Sequence, residues 1–69
     1  MNNNPDIIDK FLTTKAVAEI LSVSENTLKQ WRSLRKGPGF IKFHGRFVRY
    51  PQSELRGWIE AEKAATGVY

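Results

Sequence analysis

The chain contains no cysteine and a single histidine. The first absence excludes a disulfide framework and a thiolate zinc site, and it agrees with a reducing compartment. The lone His44 has no set of metal ligands and no nucleophile to serve, so it reads as a turn residue within reach of a phosphate. No apolar run approaches the roughly 20 residues that a membrane span needs. The opening MNNNPDIIDK lacks the basic and apolar blocks of a signal peptide. A soluble, cytoplasmic protein is therefore expected. Catalysis has little to stand on: there are seven carboxylates, but no Ser/His/Asp set and no glycine-rich phosphate loop. A domain this small hardly encloses an active site. No enzymatic activity, cofactor, metal or small-molecule ligand is expected.

What is present is a single small domain with a basic middle. A 69-residue chain buries only about 60% of its unfolded surface, and large aromatics partly compensate. Four Phe, two Trp and two Tyr supply them. Residues 15–49 hold eight cations (Lys15, Lys29, Arg32, Arg35, Lys36, Lys42, Arg46 and Arg49) against Glu19 and Glu25, a balance of +6. The flanks, 1–14 and 50–69, come to −1 each. A concentrated positive field on a small domain points to a polyanionic partner.

The stretch TTKAVAEILSVSENTLKQWRSLRK, residues 13–36, reads as two short helices about a tight turn. A threonine, Thr13 or Thr14, caps the first, and Val17, Ile20 and Leu21 form its apolar face. Ser24 caps the second, with Thr27 where a capping box would place Glu or Gln. Leu28, Trp31 and Leu34 continue the apolar side, and Gly37-Pro38-Gly39 is expected to end the helix with a glycine cap. The spacing of Thr14, Ala18, Ser22 and Leu28 lets two helices cross closely over Ala18. Ser22 stands where the turn favours positive φ, and hence glycine. From Phe40 to Tyr50 the period changes to that of a hairpin, with His44-Gly45 as a two-residue turn. That register places Phe43 opposite Arg46, Ile41 opposite Val48 and Phe40 opposite Arg49. It puts Ile41, Val48 and Tyr50 on the core side, and Phe40, Lys42, Phe47 and Arg49 on the other. Pro51 opens a last helix braced by Leu55, Trp58 and Ile59. Gly57, inside it, costs about 1 kcal/mol unless close packing demands it.

TTKAVAEILSVSENTLKQWRS followed by GFIKFHGRFVRYPQSELRGWIE resembles the excisionase and AlpA-like group of small winged-helix proteins, relatives of the MerR DNA-binding domain. The likeness covers about residues 11–62. It rests on the order of a Leu-x-Val-Ser turn, a Trp-Arg in the second helix, a Gly-Arg-x-Val-Arg-Tyr wing and a Ser-Glu-Leu-x-x-Trp-Ile helix. The resemblance implies a winged helix-turn-helix, mainly α with a β-hairpin: helices 13–22, 25–36 and 51–64 and a hairpin 40–50. A flexible arm over 1–10 and a tail over 65–69 flank the domain, 11–64. It implies double-stranded DNA as partner, several copies bound side by side, and a tyrosine or serine integrase directed toward excision in a bacterium, phage or mobile element.

Residue chemistry divides the expected DNA surface. Ser24, Glu25, Asn26, Thr27, Lys29 and Gln30 lie at the start or outer face of the second helix. There Asn and Gln suit adenine, Lys suits guanine, and Glu accepts from cytosine. Arg32, Arg35 and Lys36 come later and are expected to hold phosphates, which position without reading sequence. Thr14 and Lys15 add backbone contacts from the first helix. In the wing, His44, Gly45 and Arg46 form the tip, with Lys42 and Arg49 on its strands, and an Arg-bearing tip suits a narrow minor groove. The other readings are a transcriptional regulator of the same fold, a DNA-packaging or anchoring module, and an adaptor that binds protein through exposed Phe40 and Phe47. No heptad follows the last helix, so a coiled-coil dimer is not expected.

Overall fold

A computed structural model describes residues 8–67, so the expectations for residues 1–7 and for Val68 and Tyr69 fall outside it. Six elements follow in order: β1 (Phe11–Leu12), α1 (Thr14–Leu21), α2 (Glu25–Ser33), β2 (Ile41–Phe43), β3 (Phe47–Pro51) and α3 (Gln52–Thr66). They form a winged helix-turn-helix. Among the described residues no helix is long and apolar enough to cross a membrane.

The helix-turn-helix is held at its ends by its own side chains. Thr13 accepts from the Ala16 N–H at 3.1 Å and starts α1. Ser24 accepts from the Thr27 N–H at 3.0 Å, and the two hydroxyls share a hydrogen bond of 2.9 Å. Thr27 thus joins the cap from the position where a Glu would close a capping box. Between the helices Ser22 takes the left-handed conformation (φ 58, ψ 42), and the Val23 N–H reaches back to the Ala18 carbonyl at 3.0 Å. This is a Schellman closure built on serine rather than glycine.

α2 stops at Ser33, three residues before the expected end at Lys36. Arg35 adopts φ 57 and the Lys36 N–H donates to the Trp31 carbonyl at 2.8 Å, a second Schellman closure on a non-glycine residue. Gly37 is not the cap. It sits at φ +78 beneath Trp31, where a Cβ would come within 2.7 Å of the indole ring. Leu34, beyond the helix, is 64% exposed and does not extend the apolar face.

Val17, Ala18, Leu28, Tyr50 and Leu55 form the buried core, with Leu12, Leu21, Val23, Trp31, Val48 and Ile59 packed around it. Ala18 shares the inner face of α1 with Val17 and Leu21. That turns Ile20 outward, 55% exposed, against expectation. Trp31 and Trp58 meet between α2 and α3 with ring centroids 5.7 Å apart. Gly57 has nothing within 4 Å of the position its Cβ would take, so close packing does not require it.

The sheet is antiparallel in the order β1-β3-β2. β1, two residues long, pairs Phe11 with Pro51 and Leu12 with Tyr50. The hairpin register differs by one residue from the expected one: Ile41 pairs with Arg49, Lys42 with Val48 and Phe43 with Phe47. His44 and Gly45 both have positive φ, as a two-residue turn requires, and the Arg46 N–H bonds the Phe43 carbonyl at 3.0 Å. Arg46 nevertheless stays outside the ladder, so the loop holds three residues. A slip of one residue exchanges faces. Ile41 leaves the core side and is 42% exposed. Phe40 packs inward against Tyr50, centroids 6.0 Å apart, whereas Phe43 meets Phe11 on the outer face. Phe40 and Phe47 therefore do not form a common surface.

α3 has no side-chain cap of its own at Pro51. Asp9 supplies one from across the chain. Its Oδ1 accepts from the Ser53 N–H at 3.2 Å, and its Oδ2 accepts from the Ser53 hydroxyl. The Gln52 N–H donates to the Lys10 carbonyl at 2.7 Å. Asp9 and Lys10 are thus bonded to the domain, ahead of the boundary expected at residue 11. At the other end α3 runs to Thr66, past the expected end at residue 64.

Candidate nucleic-acid interface

The outer face of α2 carries Glu25, Asn26, Lys29 and Gln30, all exposed. The first-turn hydroxyls of Ser24 and Thr27 are engaged in capping, so their first task is to fix where α2 begins. Lys15 is exposed near the start of α1, and Thr14 beside it is half-buried.

Between α2 and the wing lies an open cleft of about 370 Å³ lined by Lys29, Arg32, Ser33, Phe40, Lys42, Arg46 and Val48. It gathers two cations from α2 and two from the hairpin. A neighbouring hollow, lined by Arg32, Arg35, Lys36 and the loop 37–40, continues the basic surface past the end of α2. Among the described residues the one ion pair is Lys63–Glu60 on α3, so no carboxylate lies within salt-bridge distance of the cleft's cations. Uncompensated cations converging on a groove raise the local positive potential and favour a polyanion.

Two expected contacts sit differently. Arg32 is not simply presented to solvent. Its Nη1 donates to the Tyr50 hydroxyl at 2.8 Å and to Thr14 Oγ1 at 3.4 Å, and its guanidinium lies over the Phe40 ring at 5.7 Å. The buried Tyr50 hydroxyl needs a partner, and Arg32 reaches it. Arg49 lies on the outer sheet face, across from Ile41 and away from Lys42, and its Nη1 donates to the Val48 carbonyl at 2.7 Å. The one-residue register shift separates it from the cleft. Arg35 and Lys36 follow the helix rather than belonging to it. At the wing tip open space lies where a Cβ on Gly45 would stand, and Arg46 lies over the Phe47 ring at 5.2 Å.

Sequence reasoning missed Ser33, Phe40 and Tyr50. Ser33 stands four residues after Lys29, one helical turn on, and that spacing could have placed it beside the cleft. Nothing local marks Phe40 or Tyr50 as partners of Arg32.

A family model, the helix-turn-helix domain, matches residues 11–63. The chain belongs to this helix-turn-helix family. The match spans both helices, the wing and most of α3, and it agrees with the resemblance to excisionase and AlpA-like proteins. No significant match to the chain was found among curated proteins or among solved structures. Membership of the helix-turn-helix family supports DNA as the partner, and α2 stands in the position of the recognition helix.

Proposed function

We propose that the chain is a sequence-specific reader of double-stranded DNA and acts as an excisionase-like recombination directionality factor. α2 enters the major groove with Asn26, Lys29 and Gln30 toward base edges. The wing tip, with His44, Gly45 and Arg46, reaches the adjacent minor groove. Copies on neighbouring sites bend the DNA so that an integrase builds its excisive complex. The protein works by binding, without catalysis or cofactor, in the cytoplasm of a prokaryotic cell. The observation that carries the DNA part is the cleft where Lys29, Arg32, Lys42 and Arg46 converge with no carboxylate partner among the described residues.

The test is enrichment of bound duplexes from a random pool, followed by titration of the enriched and random duplexes at several salt concentrations. Affinity should fall steeply with salt. Salt-independent binding, or none at low salt, would sink the DNA reading. Direct repeats in the enriched sites, with bending seen by end-to-end fluorescence transfer, support the directionality factor. A lone palindrome without bending favours a dimeric transcriptional regulator of the same fold. Gln30→Ala should cost about 1–3 kcal/mol on the enriched duplex and little elsewhere. An equal loss on every duplex would reassign Gln30 to the backbone.

A further inference from the structure

One side chain belongs to both walls of the cleft. Arg32 starts on α2, bonds Tyr50 on β3 and Thr14 on α1, and stacks over Phe40 on the approach to β2. Tyr50 is 1% exposed, so its hydroxyl has no ready access to water. An unpaired phenol there would carry the full desolvation cost. Among the described residues no buried side-chain polar atom is left without a partner, and the partner of the Tyr50 hydroxyl is Arg32. A guanidinium offers five donors in a rigid planar fork. Both bonds use Nη1, leaving Nη2 and Nε for the cleft that Arg32 lines with Lys29, Lys42 and Arg46.

We infer that Arg32 is a positioning residue that fixes the angle between α2 and the wing. It thereby sets which base pairs and which stretch of minor groove are contacted together. The inference rests on the DNA-binding reading and adds to it a determinant of specificity distinct from charge. Lysine would keep the charge but not the fork and the stacking plane. Phenylalanine at position 50 would keep the buried ring and remove the acceptor.

The experiment compares wild type, Tyr50→Phe, Arg32→Lys and the double variant. Affinity is measured on the duplex most enriched from a random pool and on a random duplex, at several salt concentrations and below every melting temperature. Tyr50→Phe should lose roughly tenfold on the enriched duplex, the scale of one hydrogen bond to a charged group. Its random-duplex affinity and salt slope should stay at wild type, because no charge is removed. Arg32→Lys should lower the enriched-to-random ratio similarly, and the double variant should fall no further than either single change. No loss in Tyr50→Phe, or an equal loss on both duplexes, overturns the positioning role and leaves Arg32 a phosphate contact. Residual dipolar couplings of the free protein read the same joint without DNA. α2 and the β2–β3 hairpin should share one alignment tensor in wild type and need two in Tyr50→Phe. A shared tensor in the variant also overturns the inference. Wild-type failure to bind either duplex would refute the DNA reading, while the couplings still decide the joint. Should Arg32→Lys not fold, Tyr50→Phe, which deletes one atom, carries both measurements.

Discussion

The helix pair α1–α2 and the wing β2–β3 both bring cations to the cleft, but they are held in place differently. The helices contribute Val17, Ala18 and Leu28 to the five-residue core, and a hydroxyl caps each N-terminus. In the wing all three β2 residues are exposed, and Tyr50 is the hairpin's one member of that core. The helix in the recognition position, α2, is fixed by burial, which fails all at once. The wing is fixed by a short ladder, one buried tyrosine and its arginine. A wing held this way can change at its exposed positions without disturbing the recognition helix.

Four substitutions probe that contrast. Leu28→Ala, in the fully buried seam between the helices, should cost about 2–5 kcal/mol in urea denaturation, enough to unfold so small a domain. A loss below 1 kcal/mol would mean that burial does not fix α2. Arg46→Ala should leave the melting temperature nearly unchanged while weakening binding on all duplexes and flattening the salt slope by about one. An unaltered slope would remove the wing tip from the DNA surface. Arg35→Gly places glycine at φ 57 and should stabilise by roughly 0.5–1 kcal/mol, read as a rise in melting temperature. A fall would show that the arginine side chain outweighs its backbone strain. Ile41→Thr on the outer sheet face should change stability by no more than about 0.5 kcal/mol, as exposed positions do. A larger loss would restore Ile41 to the core.

Features set by neighbours in sequence were legible in advance. The caps at Thr13 and Ser24, the small Ala18 at the crossing, and positive φ at Ser22, His44 and Gly45 all depend on residues within a few positions. The hairpin register was not. His44-Gly45 is a good two-residue turn, and nothing in the sequence announces that Arg46 will stay outside the ladder. The end of α2 is not legible because Arg35 gives no sign that it will take a conformation usually left to glycine. In the interface, the exposed face of α2 followed from helical spacing. The inward turn of Arg32 did not, because Tyr50 and Thr14 each lie 18 residues away in sequence. The pairing of β1 is two residues long, too short to show a period.

That short strand has a consequence for how the domain assembles. The caps of α1 and α2 span three residues each, whereas the Asp9–Ser53 bond closes 44. Loop closure must be met before distant pairing rewards it, so the helical turn forms early and β1 docks late. Until it docks, β3 has an open edge at Tyr50 and Pro51, where β1 pairs in the folded domain. Such an edge is a template for a strand from another chain. Phe11 and Leu12 thus act as a cover as well as a contact, shielding the central strand from the wrong partner.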